Sequence, residues 1–201
     1  MRVSVSGTIG VGKSTLSAQV ADALGFKLFA EPVAENPYLA DYYRDPARWG
    51  FSMQVFLLTH RFHRQMEAVR AAETQGYVLD RCFDEDQVFA EVNRDLGNIE
   101  QRDFDTYYYV YQTFEEVVPP PEVVLYLRVD PKEAMRRIAL RGRAAETAID
   151  ANYMNRLHES YERWAERMAC RTTVLTVDWS AFDAPGVSGV LNLLDQAGVY
   201  R

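Results

Sequence analysis

From Gly7 to Thr15 the chain reads Gly-Thr-Ile-Gly-Val-Gly-Lys-Ser-Thr, between two segments of different periodicity. Arg2 to Ser6 alternates valine with polar residues, which predicts a strand. Lys13 to Leu24 places Leu16, Val20 and Leu24 at every fourth position, which predicts a helix. The spacing G-x-x-x-x-G-K-S between a strand and a helix is a phosphate loop. Its glycines let the backbone curl so that N–H groups converge on phosphate oxygens, and the helix adds its positive N-terminal end. Gly7, Thr8, Ile9, Gly10, Val11, Gly12, Lys13, Ser14 and Thr15 are therefore read as the binding segment for a nucleoside triphosphate. Lys13 is expected on the β- and γ-phosphates, and the Ser14 hydroxyl on Mg²⁺.

The rest of the chain continues the alternation. Short apolar or β-rich runs at 27–30, 77–79, 123–129 and 172–177 stand between helical patterns. The helices are expected at 46–74, 84–94, 100–117, from Pro131 onward, at 151–168 and at 187–197. This order predicts an α/β fold: a five-stranded parallel sheet with helices on both faces, in one domain spanning 1–201. Sites in such sheets lie beyond the carboxyl ends of the strands. That rule directs attention to Gly7, Glu31, Asp80 and Asp130.

Composition removes several function classes. With 22 Lys and Arg against 29 Asp and Glu, the net charge is −7. A duplex-binding protein needs a broad basic footprint instead, so no nucleic-acid polymer is expected as partner. No run approaches the roughly 20 apolar residues of a membrane span. Cys82 and Cys170 lie far apart, with no disulfide or metal-ligand spacing, so a cytoplasmic location is expected. Against this background RRIALRGRAAE at 136–146 is a local positive island. It could meet nucleic acid, form a salt-bridged solvated face, or clamp the phosphates of a small ligand, and the acidic whole favours the last. Arg137 and Arg141 share a helix face, and Arg143 follows a bend at Gly142, so 137–150 is read as an Arg-rich lid over a triphosphate. Arg136 points about 100° away and is read as solvated.

Two further positions carry chemistry. Glu31 ends the second strand, where a carboxylate could serve as general base toward an acceptor hydroxyl or simply cap a turn. Arg81 follows Asp80 at a strand tip beside the phosphate loop, a place for phosphate or acceptor handling. No guanine-reading N-K-x-D segment occurs.

With those residues in place, the chain resembles the deoxyribonucleoside kinase family over nearly its whole length. The matching pieces are GTIGVGKST at 7–15, EPVAENPYLADYY at 31–43, RWGFSMQVFLLTHR at 48–61, DRCFDEDQVFA at 80–90, RIALRGRAAE at 137–146 and the helix carrying Tyr153 and Tyr161. EVNRDLGNIEQRDFDTY at 91–107 looks most like the bacterial members that phosphorylate deoxyadenosine or deoxyguanosine. The resemblance implies a P-loop kinase fold, and transfer of phosphate from ATP, with Mg²⁺, to a deoxynucleoside 5′-hydroxyl. It implies Glu31 as base, Arg81 at the hydroxyl and the transferring group, and Asp80 on the metal with Ser14. Gln54, Arg61 and Asp86 would read the base. Glu146 and Tyr153 would hold the sugar 3′-hydroxyl, while Val33, Trp49 and Met53 line the pocket with Tyr43 also against the substrate. Arg137, Arg141 and Arg143 would hold ATP. Read from the residues alone, Gln54 could equally be an exposed helix residue, Arg61 and Asp86 a surface ion pair, and Trp49 and Met53 core.

The sequence departs from familiar members at Cys82, where many have Ser, and at Ala90, where animal relatives often have a ring-stacking Phe. The latter is expected to open space beside the base, consistent with a purine. A homodimer packed through helices is implied by the resemblance, with 107–111 (Tyr-Tyr-Tyr-Val-Tyr) a candidate contact and a heterodimer with a paralogous subunit the variant. The alternatives are a thymidylate-type nucleoside monophosphate kinase, sharing the loop and lid, and a nucleotide-binding regulatory subunit.

Overall fold

The computed structural model describes residues 1–31, 36–72, 75–143, 146, 148–181 and 185–199. Five parallel strands form one sheet: β1 (Arg2–Ser6), β2 (Lys27–Phe29), β3 (Tyr77–Asp80), β4 (Val123–Arg128) and β5 (Thr173–Asp178), in the order β2-β3-β1-β4-β5. The helices are α1 (Lys13–Leu24), α2 (Leu39–Arg44), α3 (Pro46–Ala71), α4 (Asp86–Asp95), α5 (Gln101–Glu115), α6 (Pro131–Arg141), α7 (Ala151–Ala169) and α8 (Gly186–Gln196). Every predicted strand and helix is present. The six-residue α2 was not predicted, because it is too short to show a period.

The strands sort their residues onto two faces. Val123, Leu125 and Leu127 of β4 meet Leu16 and Val20 of α1, Ile138 of α6 and Leu194 of α8 in one core. Val124 and Tyr126 face the other way, toward Val88 and Val92 of α4 and Leu157, Tyr161 and Trp164 of α7. A third cluster joins α3, α4 and α5 around Leu58, Phe83, Phe104, Tyr107 and Tyr111. Tyr107 and Tyr111 are buried there while Tyr109 is 73% exposed, so the aromatic run is mostly core.

β1 lies at the centre, and its alternation does not mark a solvated face. Ser4 and Ser6 are as buried as Val3 and Val5. Their hydroxyls lie 3.3 Å apart, and Ser6 Oγ is 3.8 Å from Cys82 Sγ, so the polar atoms find partners inside. From β1 the chain reaches β3 and β2 on one side and β4 and β5 on the other. That reversal of strand order opens a crevice at the carboxyl end of β1.

Helix ends follow ordinary capping. Asp45, Asp130 and Asp150 accept from backbone N–H groups of the first turns of α3, α6 and α7, and prolines open α3 and α6. No helix among the described residues is long and apolar enough to cross a membrane. Leu125 is fully buried in a central strand. Leu125→Ala should cost about 2–5 kcal/mol in urea or guanidinium unfolding.

Candidate active site

β1 runs into Gly7, Glu31 lies two residues beyond β2, and β3 ends at Asp80 with Arg81 next in sequence. With α3 and the start of α7, these strand ends surround a cavity of about 600 Å³.

The phosphate loop forms one wall. Ile9, Gly10, Gly12, Lys13, Ser14 and Thr15 face the cavity, whereas Gly7, Thr8 and Val11 shape the loop from behind. Gly10 has φ +82°, and a Cβ there would lie 2.6 Å from Ile138 Cγ1 and 2.8 Å from the Ala134 carbonyl oxygen. α6 therefore touches the loop too closely for any other residue. Lys13 folds back on the loop, donating to the Thr8 carbonyl at 2.6 Å. Burial, and the neighbouring Arg81 charge, bring its pKa down from 10.5 to about 7 against the opposing pull of Glu85, Asp80 and Glu31.

Glu31 is held on both oxygens. Oε1 accepts from Arg61 Nε at 3.1 Å and from Arg61 Nη2, and Oε2 accepts from Arg81 Nε at 2.9 Å. Burial alone would raise this carboxyl's pKa, but Arg61 and Arg81 outweigh it and hold it at about 2. Arg81 has φ +74°, the one non-glycine in that region among the described residues, a strain of about 1–3 kcal/mol that its contacts must hold. Its guanidinium lies 4.9 Å above the Phe89 ring centroid, and that of Arg61 lies 5.7 Å away. Each cation thus rests on an aromatic face.

Gln54 is 1% exposed, lines the cavity and leaves Oε1 without a hydrogen bond, so it is not the exposed helix residue that was open from sequence. Met53, Leu57 and Arg61 share its face of α3. Tyr43, Glu146 and Tyr153 also line the cavity. Glu146 is engaged by Arg141 and, at 3.4 Å, by Arg143 Nη1, so lid cations and lid anion pair with each other.

Several predicted residues stand elsewhere. Trp49 packs on Tyr38, 5.8 Å between ring centroids, and does not line the cavity. Asp86 is fully buried behind Arg61, accepts from its Nη1, and does not reach the cavity wall. Ala90 is buried in the cluster around Phe83 and opens no space at the site, where Phe89 takes the aromatic place. Arg137 reaches the cavity, but its guanidinium is tied to Glu133, to Val11 O at 3.2 Å, and to Trp179 O and Ser180 O at 2.8 Å each. It props the loop from below. Arg136 pairs with Glu133 in solvent, as expected. Val33 lies outside the described residues. Leu39, Tyr42, Leu57 and Phe89 were not anticipated, though Leu57 falls one turn from both Gln54 and Arg61.

Mg²⁺ keeps several waters and takes one or two protein oxygens plus substrate phosphates. No cage of three or more His, Cys, Asp or Glu occurs among the described residues. The Ser14 side chain in the cavity and the buried, unpartnered Oδ1 of Asp80 at the end of β3 fit that sparse requirement.

A family model described as "Deoxynucleoside kinase" matches residues 3–187. A deoxyadenosine kinase of Dictyostelium discoideum is 33% identical over 91% of this chain and 74% of its own length. A deoxyadenosine/deoxycytidine kinase of Bacillus subtilis is 36% identical over 88% of this chain and 82% of its own. The solved structure of a deoxyadenosine kinase from M. mycoides with bound dCTP superposes with a TM-score of 0.87 at 34% identity, covering 98% of this chain and all of that one.

The depressed pKa of Glu31 has a consequence for stability. A carboxyl whose folded pKa lies below its unfolded value contributes stability above the unfolded pKa and loses it as pH falls through the folded one. The stability difference between the chain and Glu31→Gln, followed by urea unfolding, should be full above pH about 4.5 and shrink as the pH approaches about 2.

Proposed function

This chain belongs to the deoxynucleoside kinase family, and from that membership we propose that it transfers the γ-phosphoryl group of ATP to the 5′-hydroxyl of a purine deoxynucleoside, deoxyadenosine or deoxyguanosine. ATP-dependent phosphorylation of deoxynucleosides is the general reaction of the family. The observation that carries the residue assignment is the ionised Glu31 carboxylate, set between Arg61 and Arg81 in the same cavity as the phosphate loop.

In this reading the acceptor's 5′-hydroxyl donates to Glu31. A carboxylate held near pKa 2 does not deprotonate a free alcohol. It orients the hydroxyl, and takes the proton as the new P–O bond makes that oxygen acidic, which suits a loose transition state. Arg81 meets the charge on the transferring group, Lys13 the β- and γ-phosphates, and Arg141 and Arg143 leave Glu146 for ATP as the lid closes. Glu146 and Tyr153 then face the sugar. Arg137 supports the loop through its carbonyl contacts. Ser14 and Asp80 would hold Mg²⁺, which supplies charge neutralisation to the phosphates.

Gln54 presents an unpaired acceptor inside the cavity, and its amide can pair with a base edge through donor and acceptor together. Support for a purine comes from two relatives named as deoxyadenosine and deoxyguanosine kinases, at 33% and 36% identity, and the Bacillus subtilis relative is named for deoxyadenosine as well as deoxycytidine. An acceptor already carrying a phosphate would meet the negative Glu31, which disfavours a monophosphate kinase. Assembly as a homodimer and a cytoplasmic location belong to the same proposal, the first read by light scattering.

Two measurements test it. Phosphate transfer from ATP should occur to deoxyadenosine or deoxyguanosine in preference to deoxycytidine, thymidine and all monophosphates. Glu31→Gln should lower kcat about 100- to 10,000-fold. Turnover confined to monophosphates, or insensitive to Glu31→Gln, overturns the proposal. Separately, calorimetric ATP binding near pH 7.5 in buffers of different ionisation enthalpy should show proton uptake. Lys13 is partly neutral with a pKa near 7, and phosphates restore its charge. Lys13→Arg, whose guanidinium stays charged, should abolish that uptake.

A further inference from the structure

We propose that Glu85, together with Tyr161, is a positioning pair for phosphoryl transfer, locking the Arg81 guanidinium and the first amide of the phosphate loop into one register. This rests on the reading of Arg81 given above. Neither residue lines the cavity, and both are completely buried behind it.

The two oxygens of Glu85 do different things. Oε1 accepts from Cys82 N at 3.1 Å, part of a reciprocal cap on the short 3-10 turn Phe83–Glu85. A capping glutamate needs no more than that. Oε2 instead collects donors from three separate elements: Arg81 Nη1 at 3.1 Å, Tyr161 Oη at 2.6 Å and Gly7 N at 3.4 Å. Tyr161 lies on α7, far from Arg81 in sequence, and its hydroxyl also accepts from Arg81 Nη1 at 2.5 Å. Nη1 further donates to Gly7 O at 3.2 Å. Both backbone polar atoms of Gly7, where the loop begins, are therefore tied to the unit that holds Arg81.

The consequence is geometric. With Nη1 on three acceptors and Nε on Glu31, the fork can neither rotate nor withdraw. Arg81 lines the cavity, and among the described residues its Nη2 has no hydrogen-bond partner. It is the edge left to meet an oxyanion, aimed by groups that never touch the ligand. The left-handed backbone of Arg81 fits the same account, because such a conformation persists only where its surroundings over-determine it. Glutamine at 85 has the right size but one acceptor oxygen instead of two, so it cannot serve both Cys82 N and the three-donor cluster.

Steady-state kinetics with ATP and the preferred deoxynucleoside provide the test. Glu85→Gln should lower kcat about 100-fold while the KM values of both substrates stay close to the parent's. The loss should vanish in an Arg81→Lys background, leaving the double variant no slower than Arg81→Lys alone. If Glu85→Gln does not fold, Tyr161→Phe, which keeps the ring and removes the hydroxyl, carries the same cycle with an expected loss of about tenfold. An unchanged kcat in the variant that folds, or losses that multiply fully with Arg81→Lys, overturns the proposal. An unchanged kcat in Arg81→Lys itself overturns the reading of Arg81, and this proposal with it.

Discussion

The Glu31 carboxylate is buried between two guanidinium groups, and the arrangement of the site follows from making that burial possible. Arg61 and Arg81 would themselves be costly inside the protein. Asp86 backs the first and Glu85 backs the second. The result is an alternating row of five acidic and basic groups, Asp86, Arg61, Glu31, Arg81, Glu85, drawn from α4, α3, the segment after β2, the turn after β3 and the turn before α4; burial pushes the pKa of Asp86, at one end, up to about 7 against the pull of Arg61. Such a row is a poor way to gain stability, because desolvating ions offsets most of their attraction. Its value is orientation. Each fork is held on two sides, so the hydrogen-bonding directions left over point where the packing dictates.

Phe89 and Tyr161 make the row tolerable. The Phe89 ring lies under both guanidiniums, and Tyr161 adds an oxygen to the Arg81 end. The same α4 and α7 surfaces that cover one face of the sheet thus supply the walls of the charged row. Core and site are not separable here: Tyr161 packs on Tyr126 and Trp164 while its hydroxyl serves Arg81.

The lid segment obeys a related rule at lower burial. Arg141 and Arg143 share the single carboxylate of Glu146, whereas Arg137 is removed from that exchange by three backbone carbonyls. The two exposed arginines can change partners when a polyanion arrives. The buried one holds the floor of the phosphate loop against α6 and the Trp179–Ser180 turn.

The strand and helix order, the phosphate loop and the placement of Glu31 and Arg81 at strand ends were legible in the residues, because local periodicity and loop chemistry are short-range properties, whereas Gln54 and Arg61 were pointed to only by the family resemblance. A glycine at position 10 is demanded by backbone curl whatever lies nearby, although the structure adds the Ile138 contact that forbids a side chain. What could not be read was which side of a buried side chain faces the cavity. Asp86 and Phe89 lie three residues apart on one helix, yet one sits behind Arg61 and the other lines the site. Trp49 and Met53 are a turn apart and diverge likewise. Those outcomes depend on how α3, α4 and α7 settle against the sheet. The Tyr161 contacts to Arg81 and Glu85 span 80 and 76 residues of chain and have no local pattern to announce them. Sequence determined the phosphate loop and the charges available, since these follow from residue type and spacing. Only the tertiary structure decided which charge backs which, because burial forces each to find its nearest opposite in space.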